Sequence, residues 1–516
     1  MKNWAASSRL LIGVMVLAGA LAVQAKSIGS EFVANVKLVG QQSPQQSAVA
    51  GNGDKAILFS DYDSTTPYPM KVRRFDVRGN PLTSNDEFVG YDVKDIAMDR
   101  IGGYAVIFEA TKFGVKDIYF KAFNRDGSIR IPDTKANVFN MSNGAKNISA
   151  HVIAMDPNGQ LTLAWWVWMP DTQRLVARTF DRNGTPISPE TVLRDVYDNT
   201  LFFADAEMNA GGGVNLLWTD CCHYSSDGSM RVMWRKFDLQ LNPLTQEIHV
   251  NAGKSYYALW AKMAMDSAGN LVIAWNGSQY DKQTGKTTTQ IDAQRISSTG
   301  AFLGSAIKIN TTSLTARDFI GVGINDSRSF TVAWEEHNAP TNTDKIYHRD
   351  YSFDSGAPLD YWQPTLTSSV NNIGHPALSM DASGRSLLFA YVDRGATGVD
   401  VVARRLEVFN VKPATDLASG ATSAAFAGAG GSWTYFRVNV PTGATTLKVT
   451  TTGTTGNADL FGYLGSEPTT LRYDVLSRNS ASAEGISITR PMAGAWYFGV
   501  YGTTAYTGAK VTVTYQ

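Results

Sequence analysis

Apolar and polar residues alternate along most of this chain in short runs, which is typical of β-strands with one buried face. Turns rich in Asp, Asn and Gly separate the runs, and these residues favour tight turns. One strand and the turn before it recur seven times. The seven copies are GNGDKAILFSD from Gly51, MDRIGGYAVIFEA from Met98, MDPNGQLTLAWW from Met155, MNAGGGVNLLWTD from Met208, MDSAGNLVIAWN from Met265, INDSRSFTVAWEE from Ile324 and MDASGRSLLFAYVD from Met380.

These copies predict an all-β fold built from seven like units. The copies lie roughly 55 residues apart, a little longer than common propeller repeats. Four short strands per copy predict a seven-bladed β-propeller over residues 30–411. The alternative is two or more β-sandwich domains, which would show a shorter period and no sevenfold register. Four tryptophans at one equivalent position are expected to pack between blades, namely Trp165, Trp218, Trp275 and Trp334.

The chain changes character between residues 411 and 416, where Lys412 and Pro413 indicate a linker to a segment rich in Gly, Ala, Thr and Ser. This segment contains LASGATSAAFAGAGGSWTYFRVNVPTGATTLKVTTTGTTGNADLFGY, PTTLRYDV and PMAGAWYFGVYGTTAYTGAKVTVTY, in that order. Together they resemble the bacterial pre-peptidase C-terminal (PPC) domain. The resemblance implies a small β-sandwich over residues 414–516, of a kind found in exported proteins. Many of these are peptidases, in which the domain is commonly trimmed off during maturation.

The segment departs from this family at two positions. Members often carry a pair of cysteines where this chain has Val475 and Ile486, so the usual disulfide is absent and the core must stabilise the domain. Some related collagen-binding domains use calcium, and Asp459 lies in a NADLFGY segment that resembles a family motif. We interpret Asp459 as a turn carboxylate bonded to nearby backbone and predict no metal there.

The first 25 residues read as a signal peptide. Lys2 and Arg9 supply the positive start, residues 10–23 are apolar, and V-Q-A precedes the predicted cleavage after Ala25. The apolar stretch is too short for a stable bilayer span, and no later segment is apolar enough for one. We therefore expect a secreted, extracellular protein, with an uncleaved membrane tether as the alternative.

Charge and motifs exclude several functions. The chain carries 46 basic and 46 acidic residues, so it lacks the basic excess of a nucleic-acid-binding protein. No H-E-x-x-H, G-x-S-x-G or phosphate-binding loop is present, and the turns lack the Ser and Thr-Trp of a sialidase Asp-box. The six histidines show no spacing typical of a metal pair. We predict no catalytic residue, cofactor or metal.

Loops that follow the repeated strand share one rim of the predicted propeller with the segments that lead into the next blade. Aromatic rings in these positions suit the apolar face of a sugar, and carboxylates accept hydrogen bonds from its hydroxyls. The same groups would also suit a basic or aromatic peptide. The predicted ligand-binding residues are Asp61, Glu109, Trp166, Trp168, Asp220, Tyr256, Tyr257, Trp260, Glu335 and Asp393.

Two adjacent cysteines, Cys221 and Cys222, lie in one of these loops. Exported proteins usually oxidise their thiols, so we predict a vicinal disulfide that stiffens the loop. Free thiols, or a bond to another chain, are the alternatives.

The sequence therefore predicts a secreted, non-catalytic binding protein. Its propeller would recognise a carbohydrate or a protein at a surface, and its C-terminal domain would aid export or attachment. The first alternative is an exported hydrolase, either a peptidase by association with the C-terminal domain or a glycosidase that uses rim carboxylates. The second is a structural protein of the envelope or matrix. The pattern does not predict an oligomeric state.

Overall fold

Every regular element in the described part of the chain is a β-strand. The structure is a computed structural model. It describes residues 26–516 except 39, 63–67, 140–143, 198–200, 222–229, 254–257, 259, 282–285, 311–314, 339–340, 342, 360–362, 367–372, 395–397, 408–413, 429, 431, 454, 466 and 471. The predicted signal peptide lies outside these residues. Among them, no helix is long and apolar enough to cross a membrane.

The body consists of four-stranded antiparallel units in which consecutive strands pair in chain order. Unit 1 contains β2 (Gly40–Val49), β3 (Lys55–Tyr62), β4 (Pro69–Phe75) and β5 (Glu87–Tyr91), and unit 2 contains β6 (Val93–Met98), β7 (Tyr104–Lys112), β8 (Val115–Phe123) and β9 (Ile129–Lys135). Unit 3 contains β10 (Asn147–Met155), β11 (Leu161–Trp168), β12 (Thr172–Phe180) and β13 (Thr191–Tyr197). Unit 4 contains β14 (Leu201–Met208), β15 (Val214–Cys221), β16 (Met230–Phe237) and β17 (Ile248–His249).

Units 5 and 6 repeat this order. Their strands are β18 (Ala261–Met265), β19 (Leu271–Asp281), β20 (Lys286–Ile296) and β21 (Ile307–Lys308), followed by β22 (Thr315–Ile324), β23 (Ser329–Asn338), β24 (Thr343–Ser352) and β25 (Gln363–Leu366).

The last unit takes its outer strand from the start of the chain. It contains β26 (Ile373–Met380), β27 (Arg385–Asp393) and β28 (Gly398–Glu407), and β28 pairs antiparallel with β1 (Lys26–Val33). Strand β1 begins before residue 30, the predicted start of the body. A short parallel contact between β2 and β28 also joins this unit to unit 1. The pairing explains why the seventh sequence copy leaves the repeat pattern after its third strand.

The first strands of the units form a ring. Each of β2, β6, β10, β14, β18 and β22 contacts the first strand of the next unit, and β26 contacts β2. This arrangement confirms the all-β, propeller-like fold of the body. Because each unit packs against its neighbours, both faces of its small sheet are buried and few strand edges remain exposed.

The repeated tryptophans belong to the core between units. Trp165, Trp218, Trp275 and Trp334 are at most 1% exposed. Trp165, for example, shares a cluster with Ile107 and Phe120 of the preceding unit. This position of the repeat therefore carries a large apolar side chain, because the side chain fills the space between two sheets.

The repeated Asp or Asn in the turn after each first strand has a local structural role. Asp156 Oδ1 accepts the backbone N–H groups of Asn158 at 2.9 Å and Gln160 at 2.8 Å. Asp266 and Asp381 make equivalent bonds in their own turns. These bonds satisfy amides that the tight turn leaves without a strand partner.

The C-terminal domain is a sandwich of two sheets. One sheet has the order β29-β31-β36-β33-β34 and the other β30-β37-β32-β35. The strands are β29 (Thr415–Asp416), β30 (Phe426–Gly428), β31 (Trp433–Val440), β32 (Thr446–Thr452), β33 (Ala458–Leu464), β34 (Val475–Ser477), β35 (Gly485–Thr489), β36 (Gly494–Gly502) and β37 (Tyr506–Tyr515). Val475 and Ile486 join the apolar core between the sheets, so packing holds the positions where the family often has cysteines.

Candidate functional site

A cavity of about 670 Å³ lies inside the ring of first strands. The upper end of the cavity is the end at which the first strands begin. The lower end is the end at which turns connect the first strands to the second strands. All seven units contribute lining residues, and the C-terminal domain contributes to the lower end. A concave site of this volume is in the range that binds small ligands.

Equivalent positions of the first strands bring polar groups to one depth in this cavity. Gln46, Asp95, Asp205 and Lys262 each lie four residues before the first residue of the following turn. All four line the cavity, together with Glu207 from β14. The ring therefore gathers side chains that are far apart in the sequence.

Two of the carboxylates connect neighbouring units. Asp95 accepts the backbone N–H of Ile153 at 2.9 Å, and Asp205 accepts the backbone N–H of Met263 at 2.8 Å. Both donors belong to the first strand of the next unit, whose inner edge has no further strand to pair with. These bonds hold the carboxylates in fixed positions beside the cavity.

Lys262 spans the cavity from unit 5 towards unit 1. Its Nζ donates a hydrogen bond to Gln46 Oε1 at 2.8 Å and lies 3.7 Å from Asp205 Oδ1. The Lys262 ammonium group therefore lies between the amide oxygen of Gln46 and the carboxylate of Asp205 in the middle of the cavity. Its charge also stabilises the ionised forms of Asp95 and Glu207.

Burial shifts the acid groups of this cluster towards the protonated form. It raises the pKa of Asp95 to about 7. The pKa of Glu207 is raised to about 8, first by burial and then by the nearby negative charge of Asp205. Burial also raises the pKa of Asp205. Asp95 and Glu207 therefore have pKa values near neutral pH, and perturbed values of this kind cluster at functional sites.

Aromatic rings occupy the upper end. The aromatic run consists of Trp260, Phe319, His375 and Tyr391, with centroid separations of 5.0 Å, 3.7 Å and 5.1 Å in that order. The side chains are partly exposed, and the first three line the cavity. Burial lowers the pKa of His375 to about 4, so its ring is neutral at physiological pH. A neutral aromatic surface therefore leads to the polar cluster below.

Three of the predicted rim carboxylates are bound by basic side chains of the protein. Asp61 Oδ2 lies 2.7 Å from Lys71 Nζ, Glu109 Oε2 lies 2.5 Å from Lys116 Nζ, and Asp220 makes two bonds with Arg231 at 2.7 Å and 2.9 Å. Asp61 and Asp220 are also buried. These ion pairs give the three acids a structural role.

Two other predicted residues belong to, or contact, the aromatic run at the upper end of the cavity. Trp260 is part of the aromatic run, and Glu335 Oε2 accepts the backbone N–H of His375 at 3.2 Å. His375 has φ of 53°, a left-handed conformation that this bond supports. Glu335 therefore positions the histidine within the run.

The remaining predicted residues are dispersed. Trp166 is buried beside His151, with ring centroids 5.3 Å apart. Trp168 packs at the edge of the core, and Asp393 is half-buried at the end of β27. Cys221 ends β15. Tyr256, Tyr257 and Cys222 lie outside the described residues, so the vicinal disulfide stays a prediction.

The polar cluster of the cavity was not predicted from the sequence. The predicted residues lie mostly in loops of the rim, whereas Asp95, Asp205, Glu207 and Lys262 lie on the first strands. An available signal was the alignment of the seven copies on their turns, which places Glu207 where other copies have alanine, such as Ala97 and Ala154.

Comparison with known proteins identifies one part of the chain. Residues 434–502 match the family model of the bacterial pre-peptidase C-terminal domain. The corresponding domain of a Bacillus anthracis collagenase is 15% identical, with a TM-score of 0.17, and the match covers 20% of this chain and 100% of that chain. No curated protein matches the sequence.

Solved propeller-like structures resemble the body. The β-propeller domain of the Trilobed protease from Pyrococcus furiosus is 10% identical, with a TM-score of 0.40, over 72% of this chain and 97% of that chain. A Penicillium chrysogenum α-L-arabinanase complexed with arabinobiose is 10% identical, with a TM-score of 0.38, over 59% and 94%. Residues 434–502 are thus a bacterial pre-peptidase C-terminal domain, which follows an all-β, propeller-like body.

Proposed function

We propose that this is an exported carbohydrate-binding protein whose ligand enters the upper end of the central cavity. The observation that carries the proposal is the aromatic run, which lies directly above a cluster of hydrogen-bonding groups. Export is supported by the signal peptide that the sequence predicts and by the C-terminal domain, whose family occurs in exported proteins.

The arrangement of the two surfaces favours a sugar. A pyranose presents an apolar face, which stacks on aromatic rings, and hydroxyl groups at its edges. Trp260 and Phe319 offer the rings, while Gln46, Asp205 and Glu207 offer oxygen acceptors deeper in the cavity. A purely apolar ligand could not use the remaining hydrogen-bonding capacity of these polar groups, which is energetically unfavourable.

A glycan array probed with the full mature chain tests the proposal. We expect saturable binding that Trp260→Ala weakens by about tenfold, because the variant loses one stacking surface. The control is Phe113→Ala, which removes a fully exposed ring at the β7–β8 turn. Binding unchanged in Trp260→Ala, or no binding to any glycan, would contradict the proposal and favour a structural role.

The second candidate function is glycoside hydrolysis in the same cavity. It is favoured by the raised pKa of Glu207, since a carboxyl group that remains protonated at pH 7 can donate a proton to a leaving glycosidic oxygen. The neighbouring Asp205 would serve as the second carboxylate. Release of reducing ends from the array glycans, abolished in Glu207→Gln, would support hydrolysis over binding alone.

A further inference from the structure

The C-terminal domain lies against the lower end of the cavity. Four of its residues line the cavity beside the turns of the body, and they are Tyr463, Arg472, Tyr473 and Asp474. The lower end is therefore built from two parts of the chain. The aromatic run is at the opposite end.

Polar contacts tie this domain to four different units. They join Arg472 Nη1 to Gly51 O at 2.8 Å, Arg100 Nη1 to Asp474 Oδ1 at 2.7 Å, Thr469 Oγ1 to Asp326 Oδ2 at 2.5 Å, and Arg385 Nη1 to Glu467 Oε2 at 2.5 Å. Units 6, 7, 1 and 2 are consecutive in the ring, so these contacts place the domain over one side of the lower opening.

The contacts are too buried for a loosely tethered domain. Glu467 is 6% exposed and Thr469 is 7% exposed. The guanidinium groups of Arg100 and Arg472 lie 4.8 Å and 5.0 Å from the centroid of the Tyr463 ring. These buried polar contacts hold the domain in a defined position against the body.

We propose that the C-terminal domain is the floor of the ligand cavity, so that the protein recognises the end of a glycan chain and not its interior. This inference rests on the proposed function. A polymer that threads the ring needs a passage open at both ends, whereas a cavity that the C-terminal domain obstructs at its lower end admits only a terminus. Arg472 and Asp474 would then be specificity-determining residues, because they limit how far the terminus enters.

Oligosaccharides printed on an array in two orientations test this inference. Each is attached once through its reducing end and once through its non-reducing end, and the full mature chain is applied. We expect binding to one orientation to exceed binding to the other by about tenfold or more, since only one terminus is free to reach the floor. In Arg472→Ala the ratio should fall to about threefold or less. Lys448→Ala, an exposed residue of the same domain, is the control and should keep the ratio.

The outcomes separate the two hypotheses. Binding that depends on Trp260 but is equal in both orientations would overturn the floor while leaving the carbohydrate-binding proposal intact. An orientation preference that Arg472→Ala leaves unchanged would also overturn it, since the preference would then arise elsewhere. Absence of any glycan binding would overturn the proposed function and this inference together.

Discussion

At the scale of single residues, the carboxyl groups proposed to bind the ligand also lower the stability of the folded protein, because burying their charge is unfavourable. Glu207 is charged in the unfolded chain above its ordinary pKa, whereas burial and Asp205 favour the protonated form in the folded protein. Between these two pKa values the folded state binds the additional proton. The contribution of Glu207 to the free energy of unfolding therefore decreases as pH rises from about 4.5 to about 8.

Glu207→Gln should remove this dependence. Relative to the parent protein, the variant should gain roughly 1–3 kcal/mol of unfolding free energy between pH 5 and pH 9, because no charge is forced into the cavity. Urea unfolding at pH 5, 7 and 9 measures the difference. Asp171→Asn, at an exposed turn, is the control and should show no such trend. A variant that gains nothing at pH 9 would refute the explanation.

At the scale of elements, the decisive pairing is that of β1 with β28. It brings the first strand of the described chain to the last unit of the body and covers an edge that would otherwise be open. Phe32 of β1 contributes to it, since its ring lies 5.9 Å from that of Phe75 and 5.5 Å from the Arg405 guanidinium. The stability of the body should therefore depend on an N-terminal strand that the repeat pattern does not include.

Phe32→Ala should lower the free energy of unfolding by about 2 kcal/mol, because it removes a ring that packs against the core of two units. Chemical denaturation monitored by tryptophan fluorescence gives the value. Val36→Ala serves as the comparison, since Val36 is 44% exposed and should change stability by less than about 0.5 kcal/mol. Equal effects of the two substitutions would show that β1 does not help to close the body.

At the scale of the whole molecule, the interface between the body and the C-terminal domain decides whether they unfold together. The pair of Arg385 and Glu467 lies inside this interface, with side chains 13% and 7% exposed. The pair of Arg437 and Asp416 is more exposed and lies within the C-terminal domain itself. The two pairs have similar chemistry but different surroundings.

Glu467→Gln should separate the thermal unfolding of the C-terminal domain from that of the body. It removes the charged group that Arg385 contacts in the C-terminal domain, at a cost of about 3 kcal/mol. Calorimetry should then show two transitions where the parent shows one. Asp416→Asn, which breaks the exposed pair, should cost less than about 1 kcal/mol and keep one transition. A single transition in both variants would mean that this ion pair does not couple the domains.

The sequence by itself determined the elements and the fold class. Strand periodicity, the Asp and Asn turns and the repeated tryptophans act over a few neighbouring residues, so they can be identified without coordinates. The same holds for the C-terminal domain, whose motifs occur in order between residues 417 and 515, a stretch that contains the family match at residues 434–502.

Only the tertiary structure decided which polar groups meet. Lys71 and Arg231 bind acids that the sequence predicted as ligand contacts, and Lys262 reaches Gln46 from the other side of the ring. Such contacts depend on how the ring closes and on the register of each first strand, neither of which is encoded locally. The docking of the C-terminal domain onto four units was likewise beyond the repeat pattern, because it joins surfaces distant in the chain.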